Sequence, residues 1–150
     1  MYYHNIHMAL QEVPGEISVC FSISGCQLQC EGCHSPFLWK AKTGKKLTEA
    51  IYLEILNKYK GLATCVLFMG GEWHPERLAY YLKMARNKGY KTCLYTGEDA
   101  INPTVLKNLT WLKTGSWQAE LGGLDSSTTN QKFIEVQSNT QLNHLFIKTP

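Results

Sequence analysis

Three cysteines stand within eight residues, Cys26-Gln27-Leu28-Gln29-Cys30-Glu31-Gly32-Cys33, in the spacing C-x3-C-x2-C. Thiolates that close together on one loop can hold three corners of an iron–sulfur cube. The fourth iron then has no protein ligand and is open to chemistry. Spacing alone leaves three readings open: an iron–sulfur cluster, a zinc site completed by His34, and unligated thiols. Structural zinc takes four ligands, commonly with a second CxxC or HxxxH pair. No such pair follows here, which disfavours a closed Cys3His site.

Two further segments carry chemistry-bearing residues next to glycine. Gly70-Gly71-Glu72 and Thr96-Gly97-Glu98 each follow an apolar run. Glycine after a strand commonly makes only a tight turn, and Glu72 has a plain reading as a surface residue. A carboxylate beside backbone left open by glycine also suits a ligand bearing an ammonium group, because an ionised acceptor strengthens the bond to a charged donor. Trp39 and Trp73 are large aromatics in loops, fit either to pack a core or to wall a pocket. Cys20, Cys65 and Cys93 lie inside apolar runs and read as small core residues. His4 and His7, near the N-terminus, read as exposed.

The elements that position these residues alternate between strand and helix. Glu16–Ser24 reads as a strand, Gly25–Lys46 as a long polar loop, and Thr48 as the cap of a helix with Ile51, Ile55 and Leu56 on its apolar face, ending at Gly61. Ala63–Met69 is nearly continuous in apolar residues, the pattern of a strand buried on both faces. Pro75 opens a second helix with Leu78, Leu82 and Ala85 on one face, and Gly89 ends it. Tyr90–Thr96 is a third strand, Asn102-Pro103 begins a short helix, and Leu109–Lys113 is a fourth strand. Gln131–Val136 and Leu142–Lys148 are further strand candidates. Repeated strand–helix–strand units predict a parallel α/β sheet, with functional loops at the carboxyl ends of the strands. The three loops above would then meet on one rim. A closed eight-fold barrel takes about 250 residues, so a barrel of this length would be partial.

Length and composition fit one domain over 1–150. The chain is 44% hydrophobic and 18% charged, with a net charge of +3. Lys40, Lys42, Lys45 and Lys46 form a small basic cluster, read as a solvated loop or as a docking patch for an acidic redox partner. The other positive charges are scattered, which argues against a nucleic-acid surface. No apolar leader core and no membrane-length apolar stretch is present, so the chain reads as cytoplasmic, with no membrane partner. In a reducing compartment cysteines bind metal or stay free.

Taken together, these segments resemble the glycyl-radical-enzyme activases of the radical S-adenosylmethionine (SAM) superfamily, and among them the anaerobic ribonucleoside-triphosphate reductase activating proteins. The resemblance is carried by Pro14-Gly15, by Ser24-Gly25-Cys26-x3-Cys30-x-Gly32-Cys33-His34, and by Phe68-Met69-Gly70-Gly71-Glu72. It continues in Tyr95-Thr96-Gly97 and in the late segment from Gly123-Leu124-Asp125 to Asn130-Gln131. Gly32 departs from much of the superfamily, which has an aromatic there near the SAM adenine. Similar glycines occur among the reductase activases.

The resemblance implies a partial (β/α) barrel of radical SAM type with a mostly parallel sheet. It implies a [4Fe–4S] cluster on Cys26, Cys30 and Cys33, and SAM held at Gly70, Gly71 and Glu72, with Thr96 near its methionine or ribose part and His34 beside the cofactor. The reactive species is borne by the cofactor, so no catalytic side chain is implied. The implied substrate is a glycine of an anaerobic ribonucleoside-triphosphate reductase, and the implied electron donor is a flavodoxin or ferredoxin. Two other readings stay open: a radical SAM enzyme acting on a small molecule, of the deazaguanine-pathway type, and a non-catalytic metal-binding module.

Overall fold

The computed structural model describes residues 1–25 and 44–147. In chain order the elements are β1 (Tyr2–Leu10), β2 (Ile17–Ile23), β3 (Lys45–Lys46), α1 (Glu49–Lys58), β4 (Cys65–Met69) and α2 (Pro75–Asn87). Then come β5 (Lys91–Tyr95), α3 (Pro103–Leu106), β6 (Trp111–Thr114), β7 (Lys132–Glu135), β8 (Thr140–Gln141) and a 3-10 turn at Asn143–Leu145. The strands form one eight-stranded sheet in the order β3-β1-β2-β4-β5-β6-β7-β8.

The helices begin where their capping chemistry places them. The Thr48 hydroxyl accepts the Ile51 N–H and starts α1; Asn102 does the same for Thr104 at α3. Pro75 is the first residue of α2, where its missing N–H costs nothing.

The central strands β2, β4, β5 and β6 pair in parallel. Their residues alternate between two apolar clusters, one on each side. Val19, Phe21, Ile23, Val66, Phe68 and Leu94 pack with the buried faces of α1 and α2. Cys20, Cys65, Leu67 and Cys93 pack on the opposite face with Val13 and Phe133. Burial on both faces explains the unbroken apolar runs of β2 and β4.

The expected mostly parallel sheet is corrected to a mixed one. Among the described residues, β1 pairs antiparallel with β2 and β3, and β6–β7 and β7–β8 are antiparallel too, so antiparallel pairings outnumber parallel ones. The longest strand, β1, escapes the sequence reading because its faces are only half-buried, so polar and apolar residues mix. The strand expected at Leu142–Lys148 is replaced, over its described part, by the 3-10 turn that follows β8. Lys45 and Lys46, read as loop, form the short edge strand β3; two lysines are a poor template for further pairing.

Buried tyrosines tie the helices to the sheet. The Tyr52 and Tyr81 rings stack with centroids 4.3 Å apart. Tyr52 donates to Tyr81 O (2.7 Å), Tyr81 to Leu47 O (3.0 Å) and Tyr90 to Leu56 O (2.6 Å). Phe21 and Phe68 stack at 5.1 Å beneath them. Such ring pairs contribute about 0.5–1.5 kcal/mol beyond their burial. The strand ends that carry the polar loops are thereby fixed.

Candidate functional site

The site lies at the carboxyl ends of the parallel strands. Ser22, Met69, Tyr95 and Lys113 are register partners across β2, β4, β5 and β6, so the residues just beyond them emerge side by side. Beyond β2 come Ser24 and Gly25. Cys26, Cys30, Cys33 and His34, with Trp39, Lys40 and Lys42, lie outside the described residues.

After β4 the chain turns at Gly70 and Gly71, both at positive φ (84° and 107°), a region that side chains other than glycine's rarely adopt. A Cβ at Gly70 would lie 2.6 Å from Cη2 of Trp73 and 3.5 Å from Ile23 O at the end of β2. The turn is thus sealed between Trp73 and the neighbouring strand. The Gly71 carbonyl accepts the His74 N–H at 2.9 Å, which leads the chain into α2.

Glu72 is drawn inward by Thr96, which is 2% exposed at the end of β5. Thr96 Oγ1 donates to Glu72 Oε1 at 2.7 Å and accepts the Glu98 N–H at 3.0 Å. Glu72 Oε2 is buried and has no hydrogen-bond partner among the described residues. Burial pushes the Glu72 carboxyl above the usual carboxylate range; the Thr96 hydroxyl and Lys113 pull it down, and Glu98 pushes it up. A buried acceptor with one committed and one uncommitted oxygen fits a cationic donor such as an ammonium group.

The structure brings together Gly70, Gly71, Glu72 and Thr96, all read from the sequence. It adds Lys113, which the sequence reading passed over. Lys113 Nζ donates to Gly115 O (3.0 Å) and Thr96 O (3.3 Å), next to the Glu72 carboxyl. The available signal was a lysine near the end of an otherwise apolar strand. Trp73 serves both roles expected of it. It covers Gly70, and it lines a cleft of about 470 Å³ with His74, Pro75, Glu76, Arg77 and Tyr80. Its indole N–H is buried with no partner among the described residues.

Cys20, Cys65 and Cys93 are free, buried thiols, as expected of core residues. Burial pushes Cys20 and Cys65 up to about 12 and raises Cys93 as well. Thiols held protonated make poor ligands and nucleophiles. No metal-binding group of side chains occurs among the described residues, and no described helix is long and apolar enough to cross a membrane.

The chain is 36% identical, over 100 residues, to a pyruvate formate-lyase-activating enzyme from Clostridium pasteurianum. The aligned part covers 62% of this chain and 42% of that protein, so the chain spans about two fifths of its relative's length. The model of the 4Fe-4S single cluster domain family matches residues 13–120, a stretch that takes in the three clustered cysteines, the Gly-Gly-Glu turn, Thr96 and Lys113. On that match the chain belongs to the 4Fe-4S single cluster domain family.

Proposed function

We propose that this chain is a radical SAM activating enzyme that generates a glycyl radical on a partner protein. Cys26, Cys30 and Cys33 would hold the [4Fe–4S] cluster and His34 would flank it. Gly70, Gly71, Glu72 and Thr96 would form the SAM-binding rim of a partial barrel, within one domain over 1–150. The observation that supports this reading is the family match over 13–120, a span that includes the three clustered cysteines and Glu72. The relative named as an activating enzyme supports it.

One acceptor of the rim supports the reading of a SAM site. Among the described residues Glu72 Oε2 is a buried acceptor without a partner, and the SAM ammonium is a donor that needs one. Because Gly71 O already accepts from His74, the Glu72 carboxylate is the stronger acceptor for that group. When bound, a reduced cluster with SAM supplies a one-electron cleavage that lets a hydrogen be taken from a glycine Cα of the partner. The chain's own part is to orient the methionine end of SAM and keep water from the rim.

The partner we favour is an anaerobic ribonucleoside-triphosphate reductase, with a flavodoxin or ferredoxin as electron donor and the cytoplasm as location. Support comes from the Gly123–Gln131 segment, which resembles that class of activases. A second reading, in which the partner is of the pyruvate formate-lyase kind, is favoured by the relative's name. The test is low-temperature EPR of the anaerobically reconstituted, reduced protein with and without SAM, followed by incubation with each partner. A cluster signal reshaped by SAM, and a glycyl radical on the reductase only, support the first reading. A glycyl radical on the lyase only supports the second. A sample that holds zinc, or a cluster indifferent to SAM, removes both.

A further inference from the structure

A threonine hydroxyl has one proton to give, and that of Thr96 is given to Glu72. Its oxygen meanwhile accepts from the Glu98 N–H. Any direct contact between Thr96 and a ligand would therefore have to accept a bond, and the geometry of Thr96 serves Glu72 first.

The loop that carries Thr96 is braced from behind. Gly115 N donates to Glu98 O at 3.0 Å, and Thr96 N donates to Lys113 O at 2.9 Å. Gly115 has φ +99°, and a Cβ there would lie 3.0 Å from Gln131 Cα and 3.1 Å from Asn130 O. The Gln131 side chain reaches Gly115 O at 3.5 Å, and Asn130 Nδ2 donates to Ser116 O at 3.1 Å. A continuous series of contacts runs from Asn130 and Gln131 through Gly115, Glu98 and Thr96 to Glu72.

We propose that Thr96 is a positioning residue for Glu72: its hydroxyl fixes the carboxyl so that Oε2 is presented to a cationic ligand group, and Gly115, backed by Asn130 and Gln131, fixes the Thr96 loop in turn. This rests on the reading of Glu72 as the acceptor for the SAM ammonium. It gives the late Asn130-Gln131 pair a task that its sequence does not reveal. Among the described residues, the groups facing Glu72 are the Thr96 hydroxyl, the Glu98 carboxyl and the Lys113 ammonium.

The test uses S-adenosylhomocysteine, which keeps the ammonium group and is not cleaved, as the probe. Its affinity for the anaerobically reconstituted protein is measured from mildly acidic to mildly alkaline pH. Only the ionised carboxyl attracts the ammonium, so wild-type affinity falls as pH drops through the titration of Glu72. Thr96→Val removes a bond that favours the ionised form. The midpoint should move to higher pH, and affinity at neutral pH should fall about tenfold, as for one lost hydrogen bond to a charged group. Thr96→Ser should restore both. Gly115→Ala should move the midpoint in the same direction without altering either partner of the bond, and a merely structural role would leave it in place. A Thr96→Val protein with wild-type midpoint and affinity, beside a Glu72→Gln protein that binds weakly, overturns the positioning role while the Glu72 reading stands. Wild-type binding by Glu72→Gln overturns both. Should Thr96→Val fail to fold, an unmoved midpoint in Gly115→Ala overturns the proposal.

Discussion

Trp73 lies so close over Gly70 that a Cβ on the glycine would come within 2.6 Å of Cη2 of the indole. The first glycine of the rim is thus required twice, by its φ of +84° and by the aromatic ring that covers it. Trp73 in turn is half-buried at the entrance to α2, so the ring and the turn hold each other.

Gly70→Ala should therefore damage the rim more than a simple left-handed alanine would. A left-handed non-glycine residue costs about 1–2 kcal/mol, and displacing the ring adds to it. Trp73→Ala should relieve the clash, so the double variant should be less destabilised than the sum of the two single ones. Denaturant melts of the three variants check this; strict additivity would count against the contact.

Glu72→Gln should stabilise the protein in the absence of ligand while weakening SAM binding. The folded state raises the Glu72 titration above its ordinary value, so the stability Glu72 contributes is present when it is protonated. That contribution is lost as pH rises through the folded value. Above that folded value the ionised group costs stability, so removing its charge should raise Tm there. The gain should shrink as pH is lowered toward the ordinary carboxylate range. Thermal melts across pH read the sign directly.

The six cysteines should divide into two sets. Cys26→Ala, Cys30→Ala and Cys33→Ala should each abolish cluster assembly, measured as bound iron and sulfide. Cys20→Ala, Cys65→Ala and Cys93→Ala should keep it, with a stability loss of about 1 kcal/mol from the cavity each leaves. The buried three should also resist alkylation in the native protein and react once it is denatured, because burial holds their thiols protonated.

Tyr90→Phe should destabilise by about 1–2 kcal/mol. The Tyr90 hydroxyl donates to the carbonyl of Leu56 in the last turn of α1, where helix carbonyls lack an internal partner. SAM binding by the folded variant should be unchanged, since the contact lies on the helix side of the sheet. Calorimetry and the S-adenosylhomocysteine titration measure the two effects separately.

The sequence by itself determined what short-range physics controls. Thr48, Pro75 and Asn102 mark helix starts through capping, and the apolar runs at β2 and β4 mark strands buried on both faces. The cysteine spacing and the glycines of the rim were legible because their chemistry is local. Tertiary structure alone decided the pairing of β1, whose half-buried faces carry no clean alternation, and the antiparallel flank of β7 and β8. It alone brought Lys113 beside Glu72 and turned the Thr96 hydroxyl onto that carboxyl, across 24 residues of chain. Partners that far apart in sequence meet only once the strands between them are stacked in register, and no local pattern of residues encodes that.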